Sequence, residues 1–297
     1  MTLLLAAPPP AVGQPGDGAP PSRPTEGDRA PEPVSDLTPL NFFTEGWSEP
    51  WTHRHGRTPD MALIHATTNF LERELRLDFA RTELRDNPRF GASDLANALI
   101  AYGVNRRLMF AVVTNYQWNE AYHGVGTNGA GGGAVIRLQL ADTPGASLAF
   151  QVRGSPANRG VGQTQTSYSY ALAGWQDLAA LLPALDRVGL YYSVQYEHLD
   201  GQTRPGVRQN DLSLDVSVAR TWTEPSTAIF GNLTTFVELF GATDLDGETS
   251  GDTALGVMPG VRFWFARDQS LMGGVDLPLS HEAPFSAVYR VTYILNF

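Results

Sequence analysis

The chain has 297 residues with a formal net charge of −10, and 42% of its residues are hydrophobic while 18% are charged. It contains no cysteine, which excludes disulfides, thiol catalysis and cysteine-bound metals, and its acidic balance argues against nucleic-acid binding. No stretch approaches the roughly 18 consecutive apolar residues that a membrane-spanning helix needs, so insertion into a membrane would require a β-barrel.

Residues 1–40 are rich in Pro, Gly, Ala and acidic residues and have no hydrophobic periodicity. This composition predicts a disordered arm that serves as a linker. The opening MTLLLAA is similar to the end of the apolar region of a signal peptide, although it is short and lacks a positively charged start. We therefore expect a signal remnant followed by a Pro-rich linker.

Residues 41–69 differ in composition, because aromatic residues stand among Gly and Pro in NFFTEGWSEPW. Aromatic side chains in an irregular segment indicate that the segment packs against another part of the protein. We expect residues 41–69 to form either a small plug in the lumen of a barrel or a segment at its periplasmic rim.

From residue 70 onward the hydrophobic period is two. Within 70–84, Leu75, Leu77 and Phe79 share one face, while charged residues occupy the other. A row of charges on an inner strand face is costly in a soluble sandwich core but expected along a water-filled barrel wall. Twelve segments show this pattern: 70–84, 94–103, 108–118, 133–141, 146–154, 166–174, 187–198, 211–222, 228–241, 253–265, 270–280 and 289–297.

The connections between these segments alternate in length, as they do in a barrel with short periplasmic turns and longer external loops. The link 175–186 is longer than its position predicts and is expected to hold a short helical turn, whereas the external link 281–284 is short. The other short links are 104–107, 142–145, 223–227 and 266–269, and the long ones are 85–93, 119–132, 155–165, 199–210 and 242–252.

Aromatic residues fall near the expected strand ends, where amphipathic rings favour the headgroup depth of a membrane. The external end carries Tyr116, Trp118, Tyr168 and Tyr196, and the periplasmic end carries Tyr102, Trp222, Phe265 and Phe297.

The last segment, YRVTYILNF, ends the chain at Phe297 and resembles the closing strand of bacterial outer-membrane β-barrels. This resemblance implies that the strand is recognised by the barrel-assembly machinery. The stretch FGASDLANALIAYGVNRRLMFAVVTNY, residues 90–116, resembles a group of bacterial barrels named for the meta-pathway of phenol degradation. That second resemblance implies an outer-membrane channel or transporter for small molecules and transfers no binding residues.

Together these patterns predict an all-β fold, a transmembrane antiparallel up-and-down β-barrel of twelve strands over residues 70–297, in the outer membrane and in contact with its lipid. The predicted function is passive passage of small solutes through a lumen of mixed charge. A non-conducting structural or adhesion barrel remains an alternative. The expected lumen-lining charges are Glu72, Glu74, Arg76, Asp78, Arg107, Arg137, Arg153, Glu197, Asp215, Glu238, Arg262, Asp276 and Arg290.

A third alternative is an outer-membrane hydrolase resembling a phospholipase, which would need a Ser nucleophile and a His base. Ser280 and His281 are adjacent, but neighbours on an extended strand point to opposite faces, so we expect no catalytic residues.

Two groups of side chains are of types that bind metal ions. His53, His55 and His65 follow no metal-binding spacing, and the acidic loop 244–252 lacks a complete EF-hand series. We expect neither a metal nor a cofactor, and the sequence does not identify the solute.

Overall fold

The alternating residues form twelve antiparallel strands in a computed structural model of the chain. Each strand pairs with its neighbours in sequence, and β1 pairs with β12, so the sheet closes into a barrel. The predicted fold class is therefore confirmed. The strands are β1 Arg73–Leu84, β2 Phe90–Gly103, β3 Leu108–Ala121, β4 Thr127–Thr143, β5 Ala146–Ser155, β6 Thr166–Asp177, β7 Val188–Asp200, β8 Asn210–Thr221, β9 Gly231–Asp244, β10 Thr253–Ala266, β11 Gln269–Pro278 and β12 Phe285–Asn296.

The structure describes residues 35–51, 63–85, 90–121, 127–156, 165–200 and 208–297. Most of the expected N-terminal arm, as well as His53 and His55, lies outside these ranges. We call the end of the barrel where β1 begins and β12 finishes the turn end, and the opposite end the loop end.

The outer face of the barrel is apolar. The side chains that alternate outward along each strand leave large hydrophobic groups open, with Val112 65% and Leu214 58% exposed. A water-soluble protein rarely exposes so continuous an apolar surface, whereas a membrane barrel presents it to lipid. Other outward residues of this belt are Leu77, Ile100, Phe110, Leu239, Tyr289 and Val291.

Helical structure is confined to two 3₁₀ turns, Leu178–Ala180 and Pro183–Leu185, among the residues that the structure describes. The Asp177 side chain caps the first turn by accepting a hydrogen bond from the Ala179 amide at 2.9 Å. Both turns lie in the predicted link 175–186, and they leave Leu181 67% exposed at the turn end. No helix in the described ranges is both long enough and apolar enough to span a bilayer.

One predicted loop is largely strand. Residues 119–121 extend β3 and residues 127–132 extend β4, so the link shortens to 122–126. The glycine run that suggests a loop allows close backbone contact instead, since a Cβ on Gly132 would lie 2.6 Å from the Val113 carbonyl oxygen.

The predicted start of β9 at residue 228 is wrong, because the strand begins later, at Gly231. Residues 228–230 belong to the turn before β9, where Ile229 has φ of 68°. The Thr223 hydroxyl donates to the Phe230 carbonyl at 2.5 Å and accepts from the Leu233 amide at 2.8 Å, which holds this turn in place.

Candidate functional site: the barrel lumen

The strand register places most of the predicted lumen charges on the inner face of the barrel. Arg76 pairs with Ile294 and Asp78 with Thr292 across the closing seam, and both partners are almost fully buried. Glu72 precedes β1 and is buried, where it interacts with the charges of Glu74, Arg137 and Arg262. The inward-facing set is Glu74, Arg76, Asp78, Arg137, Arg153, Glu197, Asp215, Glu238, Arg262, Asp276 and Arg290.

Arg107 departs from the sequence expectation. It lies in the turn between β2 and β3, fully buried, and its guanidinium bonds to main-chain and side-chain oxygens. Nε donates to the Glu45 carbonyl at 2.9 Å, and Nη2 donates to Asn41 Oδ1 at 2.7 Å. Nη1 donates to the Gln139 carbonyl at 2.9 Å. Arg107 therefore holds the preceding segment against the end of the barrel and does not line the lumen.

That preceding segment, residues 35–51, is called here the rim segment. Leu37 pairs with Asp142 near the turn end of β4, and Pro50 pairs with Asn105 in the β2–β3 turn. The Glu49 carboxylate forms an ion pair with Arg106. This hydrogen-bonded ion pair with Arg106 lowers the pKa of Glu49 from its ordinary value.

Trp51 connects the rim segment to the interior. Its indole N–H donates to the Leu71 carbonyl at 2.7 Å. The ring lies against Gly103, where an added Cβ would come within 2.3 Å of Trp51 Cδ1. The Arg73 guanidinium lies 4.8 Å from the ring centroid. The indole is thus held by the hydrogen bond to Leu71, by close packing on Gly103 and by the cation–π contact with Arg73.

Residues 63–71, called here the inner segment, cross the inside of the barrel. Its peptide groups bond to inward side chains from five different strands, which cover most of the circumference. The bonds run from Arg76 Nη1 to the Leu63 carbonyl (3.1 Å), from the His65 amide to Glu238 (3.0 Å), from the Thr67 amide to Ser193 Oγ (3.1 Å), from Ser147 Oγ to the Asn69 carbonyl (3.4 Å) and from Arg137 Nη1 to the Phe70 carbonyl (2.5 Å).

His65 makes the most specific side-chain contacts of the inner segment. Its Nε2 lies 2.9 Å from Asp276 Oδ1, and the other carboxylate oxygen accepts from Arg290 Nε at 2.8 Å. The imidazole stacks on Phe240 with ring centroids 3.8 Å apart. One carboxylate therefore joins the inner segment to two strands of the wall.

Apolar packing reinforces these polar contacts on the β6–β12 side. Leu63, Ala66 and Phe70 of the inner segment form one cluster with inward apolar residues of seven consecutive strands. The pattern that predicts a charged inner face does not predict this layer. The sequence nevertheless contains an indication of it, because apolar residues at inward strand positions must pack against another part of the chain. These inward residues are Trp175, Tyr191, Ala219, Phe236, Met258, Met272 and Ile294.

Open space remains on the opposite side of the inner segment. A cavity of about 250 Å³ lies between residues 63–68 and the wall, lined by polar groups that include Asp78, Asn97 and Gln151. A second cavity of about 190 Å³ lies nearer the loop end, lined by Asn115, Ser167, Ser169 and Glu197 among others. Arg153 and Gln195 line both cavities, so the two adjoin.

The charges around these cavities differ in how they are bonded. Arg76 Nε donates to Asp78 at 2.8 Å, and Arg137 Nη2 donates to Gln151 Oε1 at 2.7 Å. Within the described residues, the Arg153 guanidinium makes one hydrogen bond, from Nε to Ser155 Oγ at 3.3 Å. The Glu197 carboxylate accepts none from the residues that are described. Arg153 and Glu197 therefore have bonding capacity left for a solute.

Two alternative chemistries lack support in the geometry. The Ser280 hydroxyl accepts from the Leu255 amide at 3.0 Å and donates to the Thr253 carbonyl at 3.2 Å, so it is bonded to β10. In the part of the chain that the structure describes, no three His, Asp or Glu residues are grouped as metal ligands would be.

Comparison with known proteins identifies the fold. No known family and no curated protein matches the sequence. An outer-membrane channel from Pseudomonas putida F1 superposes with a TM-score of 0.58 at 9% identity, covering 80% of this chain and 98% of that one. The NanC porin superposes with a TM-score of 0.54 at 9% identity, covering 75% of this chain and all of the porin.

The fold is that of a bacterial outer-membrane β-barrel. The apolar belt and the alternation of its strands agree with that fold.

Proposed function

We propose that this protein is an outer-membrane channel that passes small polar solutes passively through the space beside the inner segment. The observation that carries this proposal is the pair of adjoining polar cavities inside an otherwise packed barrel. A barrel with a purely structural role needs no such polar, charge-lined space, which costs packing contacts. The two channel structures with the same fold support the proposal by analogy.

Within this proposal the inner segment is a plug that narrows the lumen, and the rim segment anchors it at the turn end. We place the turn end on the periplasmic side, because outer-membrane barrels carry their short turns there. Residues 63–70 bond to β1, β4, β5, β7 and β9, which fixes the width of the remaining passage. Arg153 and Glu197 would then set solute preference. Arg76, Arg137, Glu238 and Asp276 would hold the plug.

The inner packing favours one competing function, a closed barrel that conducts nothing. Leu63, Ala66 and Phe70 fill the β6–β12 side of the lumen at the turn end. If the same packing seals the β1–β5 side, the two cavities would be blind pockets. We propose no hydrolase activity, because the Ser280 hydroxyl is bonded to backbone groups of β10.

Osmotic swelling of proteoliposomes separates the open channel from the closed barrel. Vesicles that contain the refolded protein should swell in isotonic glycerol faster than protein-free vesicles, and the rate should fall steeply as the solute grows. A heat-modifiable, correctly folded sample that gives only the protein-free rate would contradict the channel proposal.

Two further proposals come from resemblances in the sequence. We propose that the chain is related to the barrels named for the meta-pathway of phenol degradation. We also propose that the barrel-assembly machinery recognises its last strand.

A further inference from the structure

We propose that Arg153 and Glu197 form a selectivity site for small zwitterions, solutes that carry one carboxylate and one ammonium group. This inference rests on the proposed channel function and names its class of solute. The site lies in the cavity of about 190 Å³ toward the loop end, which is the external side in the proposed orientation.

The register fixes the spacing of the two charges. Arg153 of β5 pairs with Ser169 of β6, and Ser169 pairs with Glu197 of β7. The two charged residues thus occupy one row across the wall with a single hydroxyl between them. Since neighbouring strands lie about 4.8 Å apart, their Cα atoms are about 10 Å apart. No ion pair within 4.0 Å joins them, so a small solute can be accommodated between the two head groups.

The bonding state of the two groups indicates what they can recognise. The terminal nitrogens of Arg153 have no partner among the described residues, and two parallel N–H groups suit a carboxylate. The Glu197 carboxylate likewise accepts no hydrogen bond from the described residues, whereas Asp211, its neighbour across β7 and β8, forms an ion pair with Arg208 at 3.4 Å. The negative group available to an ammonium group is therefore the Glu197 carboxylate.

The rest of the lining suits a compact polar solute. Ser155, Ser167, Ser169, Asn115 and Gln195 supply neutral donors and acceptors around the two charges. Among the residues that the structure describes, no aromatic side chain lines this cavity, so they offer no ring on which a sugar face would stack. Because the two neighbouring charges have opposite sign, a simple anion or cation that is attracted by one of them is repelled by the other.

Alanine and lactamide give a matched pair of probes, because they are isomers and only alanine is zwitterionic. We expect vesicles with the wild-type protein to swell faster in alanine than in lactamide. Substituting Arg153→Gln or Glu197→Gln should lower the alanine-to-lactamide rate ratio about threefold, the scale of a hydrated charge pair. The control substitutions are Arg267→Gln, whose side chain is 96% exposed, and Asp186→Asn, at 59%. Neither should change the ratio.

A charge reversal makes the test sharper. Each single variant, R153E or E197R, should lose the preference for alanine, and the double variant should recover it because the zwitterion can bind in the reverse orientation. Equal rates for alanine and lactamide in the wild-type protein, or an unchanged ratio in R153Q and E197Q, would overturn the zwitterion site alone. Protein-free rates for both solutes would overturn the channel function as well.

Discussion

The His65 imidazole meets the Asp276 carboxylate at 2.9 Å inside the barrel, which ties the inner segment to β11. Arg290 holds the other oxygen of the same carboxylate, and Phe240 stacks on the imidazole. A side chain that precedes the first strand is thereby fixed to the last part of the barrel wall. This contact is therefore one of those that hold the inner segment in place.

Removing the imidazole should loosen the inner segment. His65→Ala loses both the Asp276 bond and the Phe240 stack, so we expect a loss of about 1–3 kcal/mol in the free energy of unfolding. His65→Phe keeps the stack alone and should fall between the wild-type protein and the alanine variant. Urea unfolding followed by heat-modifiable gel mobility measures the order. Equal stability of all three proteins would show that His65 does not anchor the segment.

Glu238 should anchor the same segment through its backbone. The fully buried carboxylate accepts from the His65 amide at 3.0 Å, so Glu238→Ala leaves that amide without its acceptor, at a cost of about 1–3 kcal/mol. Glu238→Gln retains an oxygen acceptor and should cost less. The comparison is made by urea unfolding. A glutamine variant as unstable as the alanine variant would show that the charge, and not this hydrogen bond, is what matters.

Gly256 should be intolerant of any side chain. A Cβ at this position would lie 2.3 Å from Phe240 Cζ and would push the ring away from His65. We expect Gly256→Ala to destabilise the barrel by about 1–3 kcal/mol. Gly154→Ala is the matched control, since the nearest atom to its Cβ would be 3.9 Å away. Equal midpoints of urea unfolding for both variants would refute this packing account.

Docking of the rim segment should depend on pH through Glu49. Its pKa is lowered by the hydrogen bond and charge of Arg106, so the stabilisation is complete above the ordinary value of 4.5. The stabilisation is lost as the pH falls through the lower value of the docked state. Because the chain has no cysteine, Phe43→Cys gives one labelling site, and the anisotropy of a dye there should drop below pH 4.5.

The control for this titration is Glu49→Gln in the same labelled chain. Its anisotropy should already be lower at neutral pH and should lack the acid transition that Glu49 causes. An identical acid transition in both proteins would assign the effect to other groups.

The sequence predicts the barrel because each strand must present apolar side chains to lipid on one face and polar side chains to the lumen on the other. Leu75, Leu77 and Phe79 alternate with Glu74, Arg76 and Asp78, and this period of two specifies both faces of β1 without any knowledge of its partners. The same reasoning misplaces the loop 119–132, since glycines that allow close strand approach cannot be distinguished from loop glycines by composition.

The interior was less predictable for a physical reason. The inner segment, LIHATTNFL, has no periodicity, since its peptide groups bond to side chains of the wall and form no ladder of their own. Its position depends on contacts such as His65 with Asp276, which are far apart in sequence. Arg107 is unpredictable for the same reason. The sequence shows a charged residue next to a strand, but only the folded structure shows that its guanidinium binds the rim segment.

Single-channel conductance across a planar bilayer tests the proposed channel most directly. The refolded protein should give discrete current steps, and Arg153→Glu should shift the reversal potential in a salt gradient toward cation preference, because it makes the lumen more negative. Arg267→Gln, outside the lumen, should leave the reversal potential unchanged. A correctly folded, heat-modifiable sample that produces no steps would contradict the account.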